Sequence, residues 1–237
     1  MLLKRRAQEI VQLVDKAENE FRHGEEELSG NISIGSGETN SVQELADVME
    51  RFTDTYPMVR YDLYTANADD IKDRLDKGLL DIGLLTEPVD ISKYNFIRLR
   101  RKERWGVLVR KDSELARKKS ITPEDLLDVP VFLVQRPLVK NELEGWFGDY
   151  YDQIHVIGTY NLINNVAVMV ERKMGVALCF HLQNRFDELK CIPLSPALET
   201  GAVIVWKKAQ IVSRTTRQFI SFIKENRAVQ DGQEKEQ

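Results

Sequence analysis

An order of apolar patterns that occurs twice in the sequence is its strongest constraint on the fold. In the first half, alternating apolar residues predict a strand around Ile32, and helical spacing predicts a helix from about Ser41. A second strand, a second helix closed by Gly78 and a buried third strand over residues 81–85 follow. This order predicts a βαβαβ unit, a parallel sheet with helices on its faces.

The second half repeats the unit with strands over residues 131–134, 154–157 and 176–180, and Gly175 closes its last helix. A strand over residues 105–109 leaves the first half, and a strand over residues 202–206 returns from the second. We therefore expect an α/β protein with two Rossmann-like lobes, a hinge and a cleft between them. The predicted division is a linker helix (1–29), lobe I (30–104 and 207–228), lobe II (105–206) and a disordered tail (229–237).

The first 28 residues carry a seam of apolar side chains typical of a coiled coil. The spacing alternates between four and three residues, and charged residues fill the other positions. Such a helix either lies on its own domain or pairs with a second chain, and the narrow seam favours pairing. The predicted dimerisation residues are Leu3, Ala7, Ile10, Val14, Ala17 and Phe21.

Composition excludes several classes of protein. The chain has 237 residues, is 42% hydrophobic and 30% charged, and carries a net charge of −4, which excludes a nucleic-acid binder that relies on bulk charge. No apolar run approaches the roughly 20 residues that span a bilayer, and the N-terminus lacks the features of a signal peptide. Two cysteines fit a reducing compartment. We expect a cytoplasmic protein without membrane contact.

A ligand is expected where the carboxyl ends of the parallel strands meet the helix N-termini. The loop from Gly35 to Ser41 is the most informative, because it offers glycines, hydroxyls and helix N–H groups that suit a small polar or anionic ligand. Arg136 is the cation among the predicted cleft loops, and it would pair with a carboxylate or phosphate. The predicted ligand-binding residues are Ser36, Gly37, Thr39, Asn40, Thr86, Gln135, Arg136 and Asn161.

Several motifs, in their order and spacing, resemble the effector-binding domain of LysR-type transcriptional regulators. The resemblance runs from about residue 3 to residue 225 and is carried by the segments Gly30–Gly35, Tyr56–Val59, Leu75–Gly83, Val107–Ala116, Asp125–Val131 and Met174–Leu178. It implies a periplasmic-binding-protein-like fold of type II. It also implies that a small effector enters the cleft and changes how a dimer or tetramer engages promoter DNA.

The same resemblance places family cleft residues on Gly37, Thr39, Asn40, Thr86 and the loop of Gln135 and Arg136. Gly37 and Ala68 stand where relatives often carry hydroxyls. The family has a winged helix-turn-helix before the linker helix, and no segment here reads as a recognition helix. We expect a regulatory fragment that contacts DNA only through that missing domain.

Alternative functions remain open at this stage. A solute-binding protein of a transporter would share the fold but carry a secretion signal. An enzyme would need a nucleophile or an acid–base pair in the cleft, and no spacing of His, Cys, Asp and Glu resembles a metal site. Cys179 and Cys191 suggest a thiol redox sensor as a further alternative. Neither cysteine has a cationic neighbourhood in the sequence that would lower the pKa of its thiol. We therefore expect no enzyme activity, no cofactor and no metal.

Overall fold

The computed structural model describes residues 3, 4, 6, 7, 9–11, 13, 14, 28–182, 186–208 and 212–233, with side chains only to residue 226 in the last range. In chain order the first elements are β1 (Gly30–Ser36), α1 (Val42–Thr55), β2 (Val59–Thr65), α2 (Ala68–Asp76), β3 (Ile82–Thr86) and β4 (Tyr94–Arg98). They are followed by β5 (Glu103–Arg110), β6 (Val131–Val134), α3 (Pro137–Phe147), β7 (Val156–Tyr160), α4 (Ile163–Glu171), β8 (Val176–Phe180), β9 (Leu189–Pro193), β10 (Glu199–Thr200), β11 (Ala202–Lys207) and α5 (Arg214–Gln233).

The strands form two sheets, so the predicted α/β fold with two lobes is confirmed. The first sheet has the order β2-β1-β3-β11-β4 and defines lobe I. The second has the order β10-β5-β8-β6-β7, with β9 also paired to β5, and defines lobe II. Apolar clusters lie on both faces of each sheet, as expected for sheets covered on two sides.

The three strands of each predicted βαβαβ unit run parallel, as predicted, but each complete sheet is mixed. Strand β11 runs antiparallel to β3 and β4, and β5 runs antiparallel to β8. Because β11 hydrogen-bonds within the first sheet, residues 202–206 belong to lobe I and not to the predicted lobe II. Residues 103 and 104 begin β5 and belong to lobe II, not to the predicted lobe I. Strands β4, β9 and β10 have no counterpart in the predicted pattern.

Helix α1 illustrates how the apolar spacing fixes an element. Leu45 and Phe52 lie on one face and are buried, and the Phe52 ring meets Phe219 of α5 edge to face at 4.9 Å. Burying an aromatic side chain of this size stabilises the fold by about 2–3 kcal/mol. The helix ends before Pro57, as predicted, because proline disfavours helical geometry at the residue before it.

The chain passes between the lobes twice. The first connection joins β4 to β5 over residues 99–102, and the second joins β10 to β11 at Gly201. Two short connections form a hinge, and they leave the carboxyl ends of β1, β3, β6 and β8 facing a cleft between the lobes.

The two helix-closing glycines play different roles. Gly78 has a φ of 74°, the left-handed conformation that ends a helix. In lobe II the left-handed residue is Lys173, with a φ of 63°, and Gly175 does not have a positive φ. A Cβ on Gly175 would lie 2.3 Å from the carbonyl oxygen of Pro130, so this glycine permits a close backbone approach instead.

The described residues at the N-terminus, between positions 3 and 14, are helical. Leu3, Ile10 and Val14 are exposed, and Glu9 forms an ion pair with Lys77 at 3.3 Å. Ala17 and Phe21 of the predicted seam lie outside the described residues. At the other end α5 continues to Gln233, so residues 229–233 are helical and not part of a disordered tail. Residues 234–237 lie outside the described part.

Candidate functional site

A pocket of about 70 Å³ lies between the lobes at the carboxyl ends of the strands. This interlobe pocket has a largely apolar wall, in which Trp105 and Phe180 pack with ring centroids 4.6 Å apart. The other apolar residues are Ala66, Ala68, Leu84, Val134, Val139, Leu162, Ile163, Cys179 and Leu182. Polar groups come from both lobes: Glu38, Thr39, Asn67, Thr86, Arg136, Tyr160 and Asn161, beside Gly37.

The structure brings five of the eight predicted ligand-binding residues to this pocket: Gly37, Thr39, Thr86, Arg136 and Asn161. Ser36, Asn40 and Gln135 do not line it.

Each of the three has a local reason for lying elsewhere. Ser36 belongs to β1, and its carbonyl oxygen accepts from the backbone N of Ala66. Gln135 is exposed, and its backbone N donates to the carbonyl oxygen of Tyr160 at 2.7 Å. The side chain of Asn40 is turned to the hinge.

The N-terminus of α1 is already occupied, which corrects the expectation of free helix N–H groups. The carboxylate of Glu103 accepts from the backbone N of Asn40 at 3.2 Å and from that of Ser41 at 2.6 Å. The Asn40 side chain also donates to Glu103 and to the carbonyl oxygen of His181. A carboxylate fits this place because helix N-termini carry partial positive charge. A ligand anion would find these donors taken.

Arg136 projects from lobe II against lobe I. Its Nη2 donates to the carbonyl oxygen of Pro88 at 3.0 Å, and its Nε lies 3.7 Å from Asp69 Oδ2. The side chain is only 5% exposed, and burial lowers the pKa of the guanidinium, opposed by Asp69. Nε makes no hydrogen bond with the described residues.

Thr39 offers a second polar atom without a hydrogen bond, on the opposite wall. Its Oγ1 is buried and has no hydrogen-bond partner among the described residues. Thr39 belongs to the loop between β1 and α1 of lobe I, whereas Arg136 immediately precedes α3 of lobe II. The pocket therefore presents one hydroxyl and one N–H group that make no hydrogen bond with the described residues, one from each lobe.

Glu38 crosses the cleft from the same loop. Its Oε2 accepts from the backbone N of Ile163 at 2.6 Å, and its Oε1 accepts from the side-chain amide of Asn164. The carboxylate thus lies on the N-terminus of α4, where Asn161 also accepts from the backbone N of Leu162 at 2.9 Å.

The two cysteines lie close together across one strand. Cys179 of β8 and Cys191 of β9 flank β5, and their Sγ atoms are 3.9 Å apart. Gly106 makes room for this contact, because a Cβ there would lie 2.6 Å from the Cys191 Sγ.

The Cys191 contact and burial raise the pKa of the Cys179 thiol well above its usual range. A protonated thiol is the less reactive form, so the raised pKa of Cys179 argues against the thiol redox alternative.

Within the described ranges, no group of three or more His, Cys, Asp and Glu side chains is arranged to hold a metal ion. In the same part of the chain, no helix combines the length and apolarity needed to cross a membrane.

The sequence did not indicate every residue of the site. Glu38 stands in the loop between β1 and α1, which the sequence indicates as a binding loop because of its hydroxyls. The carboxylate among these hydroxyls was the signal that the loop could also contact a helix N-terminus. Glu103 lies within a segment in which basic residues predominate, residues 98–104, so no local pattern marks it as a capping residue. Trp105 and Phe180 occupy strands, where aromatic residues equally suit a core, so sequence alone carries no signal for a pocket wall.

The sequence is similar to curated bacterial regulators. It is 26% identical over 153 residues to the uncharacterized HTH-type transcriptional regulator YvbU of Bacillus subtilis, covering 63% of this chain and 50% of YvbU. It is 23% identical over 230 residues to the Hca operon transcriptional activator HcaR of Escherichia coli, covering 93% of this chain and 77% of HcaR. The chain thus spans about half the length of the first relative.

Among solved structures, the effector-binding domain of QuiR in complex with shikimate superimposes with a TM-score of 0.72 at 15% identity, covering 83% of this chain and 96% of that domain. This likeness shows a shared fold and confirms the periplasmic-binding-protein-like prediction. A family model described as LysR substrate binding domain matches residues 25–228. The predicted family is therefore confirmed: the chain belongs to the LysR substrate-binding domain family.

Proposed function

We propose that the chain binds a small-molecule effector in the interlobe pocket and is the ligand-sensing part of a LysR-type transcription regulator. The observation that carries this proposal is a pair of buried polar atoms that make no hydrogen bond with the described residues, Thr39 Oγ1 and Arg136 Nε, the second of which lies 3.7 Å from Asp69 Oδ2. Leaving a buried polar group unpaired costs about 1–3 kcal/mol. A ligand that satisfies both atoms would recover this cost.

Such a ligand would also join the lobes. Thr39 belongs to lobe I and Arg136 to lobe II, so a molecule in contact with both stabilises the closed arrangement relative to an open one. A change in lobe closure is the physical signal that a regulator can transmit. The hinge at residues 99–102 and Gly201 is where that change would be taken up.

The lining defines the chemistry of the effector. The pocket is small and mostly apolar, with Trp105 and Phe180 on its wall. Arg136 Nε requires a hydrogen-bond acceptor, and a carboxylate is the best match for a guanidinium. We infer a compact molecule with an apolar body and one acidic group. The effector-binding domain of QuiR, which shares the fold, is in complex with shikimate, and this supports a small molecule with one carboxylate.

The regulatory output belongs to the whole protein. HcaR is named a transcriptional activator and YvbU a transcriptional regulator, and on this basis we propose that the effector alters promoter DNA binding by a dimer or tetramer. Self-association would use the exposed apolar residues Leu3, Ile10 and Val14 of the N-terminal helix. We further propose that the protein acts in the cytoplasm and that its effector is bound without turnover.

A thermal-shift screen against small carboxylates, amino acids and phosphates tests the sensor proposal. We expect a concentration-dependent rise in Tm for one class of acidic compound, because ligands that bind only the folded state stabilise it. The bound compound, recovered after incubation, should be chemically unchanged. Conversion of the compound by the chain would contradict binding without turnover, and a screen without any stabilising compound would contradict the sensor.

A further inference from the structure

Glu38 makes direct hydrogen bonds between the lobes at the pocket. Its carboxylate accepts from the backbone N of Ile163 at 2.6 Å and from the side chain of Asn164, 125 and 126 residues further along the chain. Glu38 and Ile163 both line the interlobe pocket. One side chain of lobe I therefore holds the first turn of a helix in lobe II.

Helix α4 lacks a capping side chain at its own N-cap residue. Leu162, the residue before α4, has an apolar side chain and provides no side-chain hydrogen bond to the helix. The first turn of a helix leaves N–H groups without partners and carries partial positive charge, which favours an anion. Glu38 is the anion that fills this position, although it comes from the other lobe.

A second observation indicates that this side of the pocket suits negative charge. Arg136 lines the same pocket from lobe II, its side chain is 5% exposed, and its Nε makes no hydrogen bond with the described residues. The N-terminus of α1 across the cleft is different, because Glu103 at the start of β5 already accepts from the backbone N of Asn40 and of Ser41 there. Charged recognition in this pocket is thus concentrated at Arg136 and the start of α4.

We propose that Glu38 is an internal latch: it occupies the anion-binding N-terminus of α4, holds the lobes together without a ligand, and competes there with an anionic group of the effector. The competition rests on the proposed sensor function, whereas the latch does not. A carboxylate that displaces Glu38 replaces an intramolecular bridge between the lobes by one that runs through the ligand. The effector would then change how the two lobes are oriented relative to each other, and not only how close together they lie.

The latch is tested on the full chain with Glu38→Ala, Glu38→Gln and the control Glu50→Ala, whose side chain is exposed on α1. Small-angle X-ray scattering measures lobe separation, and amide exchange measures the protection of the Ile163 N–H group. We expect Glu38→Ala to increase the radius of gyration and speed exchange at Ile163 by about tenfold, the loss of one charged hydrogen bond. Both values for Glu38→Gln should lie between those of Glu38→Ala and those of the original chain, and Glu50→Ala should match the original chain.

Chemical rescue separates the latch from a merely structural role. Glu38→Ala removes a CH₂–COO⁻ group, so acetate is the matching probe, titrated at constant ionic strength against chloride. We expect acetate, but not chloride, to restore Ile163 protection and compactness in Glu38→Ala and to leave Glu38→Gln less affected. Circular dichroism melting verifies that each variant is folded.

The outcomes distinguish the two proposals. Unchanged scattering and unchanged Ile163 exchange in folded Glu38→Ala would overturn the latch. If the lobes of Glu38→Ala separate and acetate does not bring them together again, the proposed competition between Glu38 and an anion would be overturned. A latch confirmed in this way, together with no stabilising compound in the ligand screen, would leave the latch intact and contradict the sensor function.

Discussion

Ser41 donates two hydrogen bonds to the carboxylate of Glu103, from its backbone N at 2.6 Å and from its hydroxyl at 2.5 Å, and both residues are fully buried. Ser41 stands at the start of α1 in lobe I, whereas Glu103 begins the first strand of lobe II. The contact fixes one wall of the cleft to the hinge. It also explains why the loop before α1 presents a hydroxyl, and not free N–H groups, to the pocket.

Replacement of Glu103 by Ala should therefore destabilise the protein strongly. The change leaves the backbone N atoms of Asn40 and Ser41 without acceptors in a buried place. We expect the free energy of unfolding to fall by about 3 kcal/mol, measured by urea denaturation. The control Glu50→Ala, on an exposed helix face, should change it by less than about 0.5 kcal/mol. Equal effects of the two variants would contradict the capping role.

We expect ionisation of the buried Tyr94 side chain to reduce the stability of the fold at alkaline pH. Its side chain is buried, and its hydroxyl donates to Asp76 Oδ1 at 2.9 Å. Burial, with the Asp76 hydrogen bond and charge, raises the pKa of this phenol well above its usual value of about 10. Its contribution to stability is thus complete below about pH 10 and is lost as the pH rises towards the folded-state pKa.

The measurement compares urea denaturation of the original chain and of Tyr94→Phe at about pH 8 and about pH 10.5, on either side of the unfolded-state pKa. At the lower pH the variant should be less stable by about 1 kcal/mol, because one buried hydrogen bond is lost. At the higher pH the difference should shrink. A difference that stayed constant would show that Tyr94 does not titrate in this way.

Gly175 should not tolerate a side chain. A Cβ at this position would lie 2.3 Å from the Pro130 carbonyl oxygen, which accepts from the backbone N of Val176 at 2.9 Å. We expect Gly175→Ala to lower the free energy of unfolding by about 2 kcal/mol, because the backbone must shift. Gly145 in α3 has open space, so Gly145→Ala should stabilise by about 0.5–1 kcal/mol. Thermal melting of both variants measures the contrast.

The N-terminal helix makes a prediction about association. Ile10 is 60% exposed and Val14 is 50% exposed, an arrangement that leaves the predicted seam open for a second chain. The double variant Ile10→Asp with Val14→Asp should weaken dimer formation at least about tenfold, since charges would enter an apolar interface. Analytical ultracentrifugation, with Lys4→Gln as the control, measures this. Sedimentation identical to that of the original chain would contradict pairing through the seam.

Much of the fold could be predicted because local patterns of apolar residues and glycines determine where its helices and strands begin and end. The spacing of Leu45 and Phe52 predicts α1, and Gly78 predicts the end of α2. The place of β11 between β3 and β4 depends on pairing with strands about a hundred residues away in sequence, which no local pattern reports. The left-handed Lys173 was missed for a related reason: a non-glycine residue adopts that conformation only when its surroundings require it.

The site was predictable as a region and less so as a set of contacts. Ligands of parallel sheets bind at the carboxyl ends of the strands, and this rule located the loops that carry Thr39, Thr86 and Arg136. It could not show that Glu103 fills the N-terminus of α1 or that Glu38 reaches α4. Both contacts join residues at least 62 positions apart, and both place a carboxylate where sequence reasoning expected donors for a ligand.

Calorimetric titration of Thr39→Val with the compound found by the screen tests the central claim most directly. Valine keeps the shape of threonine and removes the unpaired hydroxyl, so the variant without ligand should melt at the same or a higher temperature. Its affinity for the compound should nevertheless fall by about tenfold, the value of one hydrogen bond to the ligand. Unchanged affinity in a variant that folds normally would contradict binding of the effector at the pocket between the lobes.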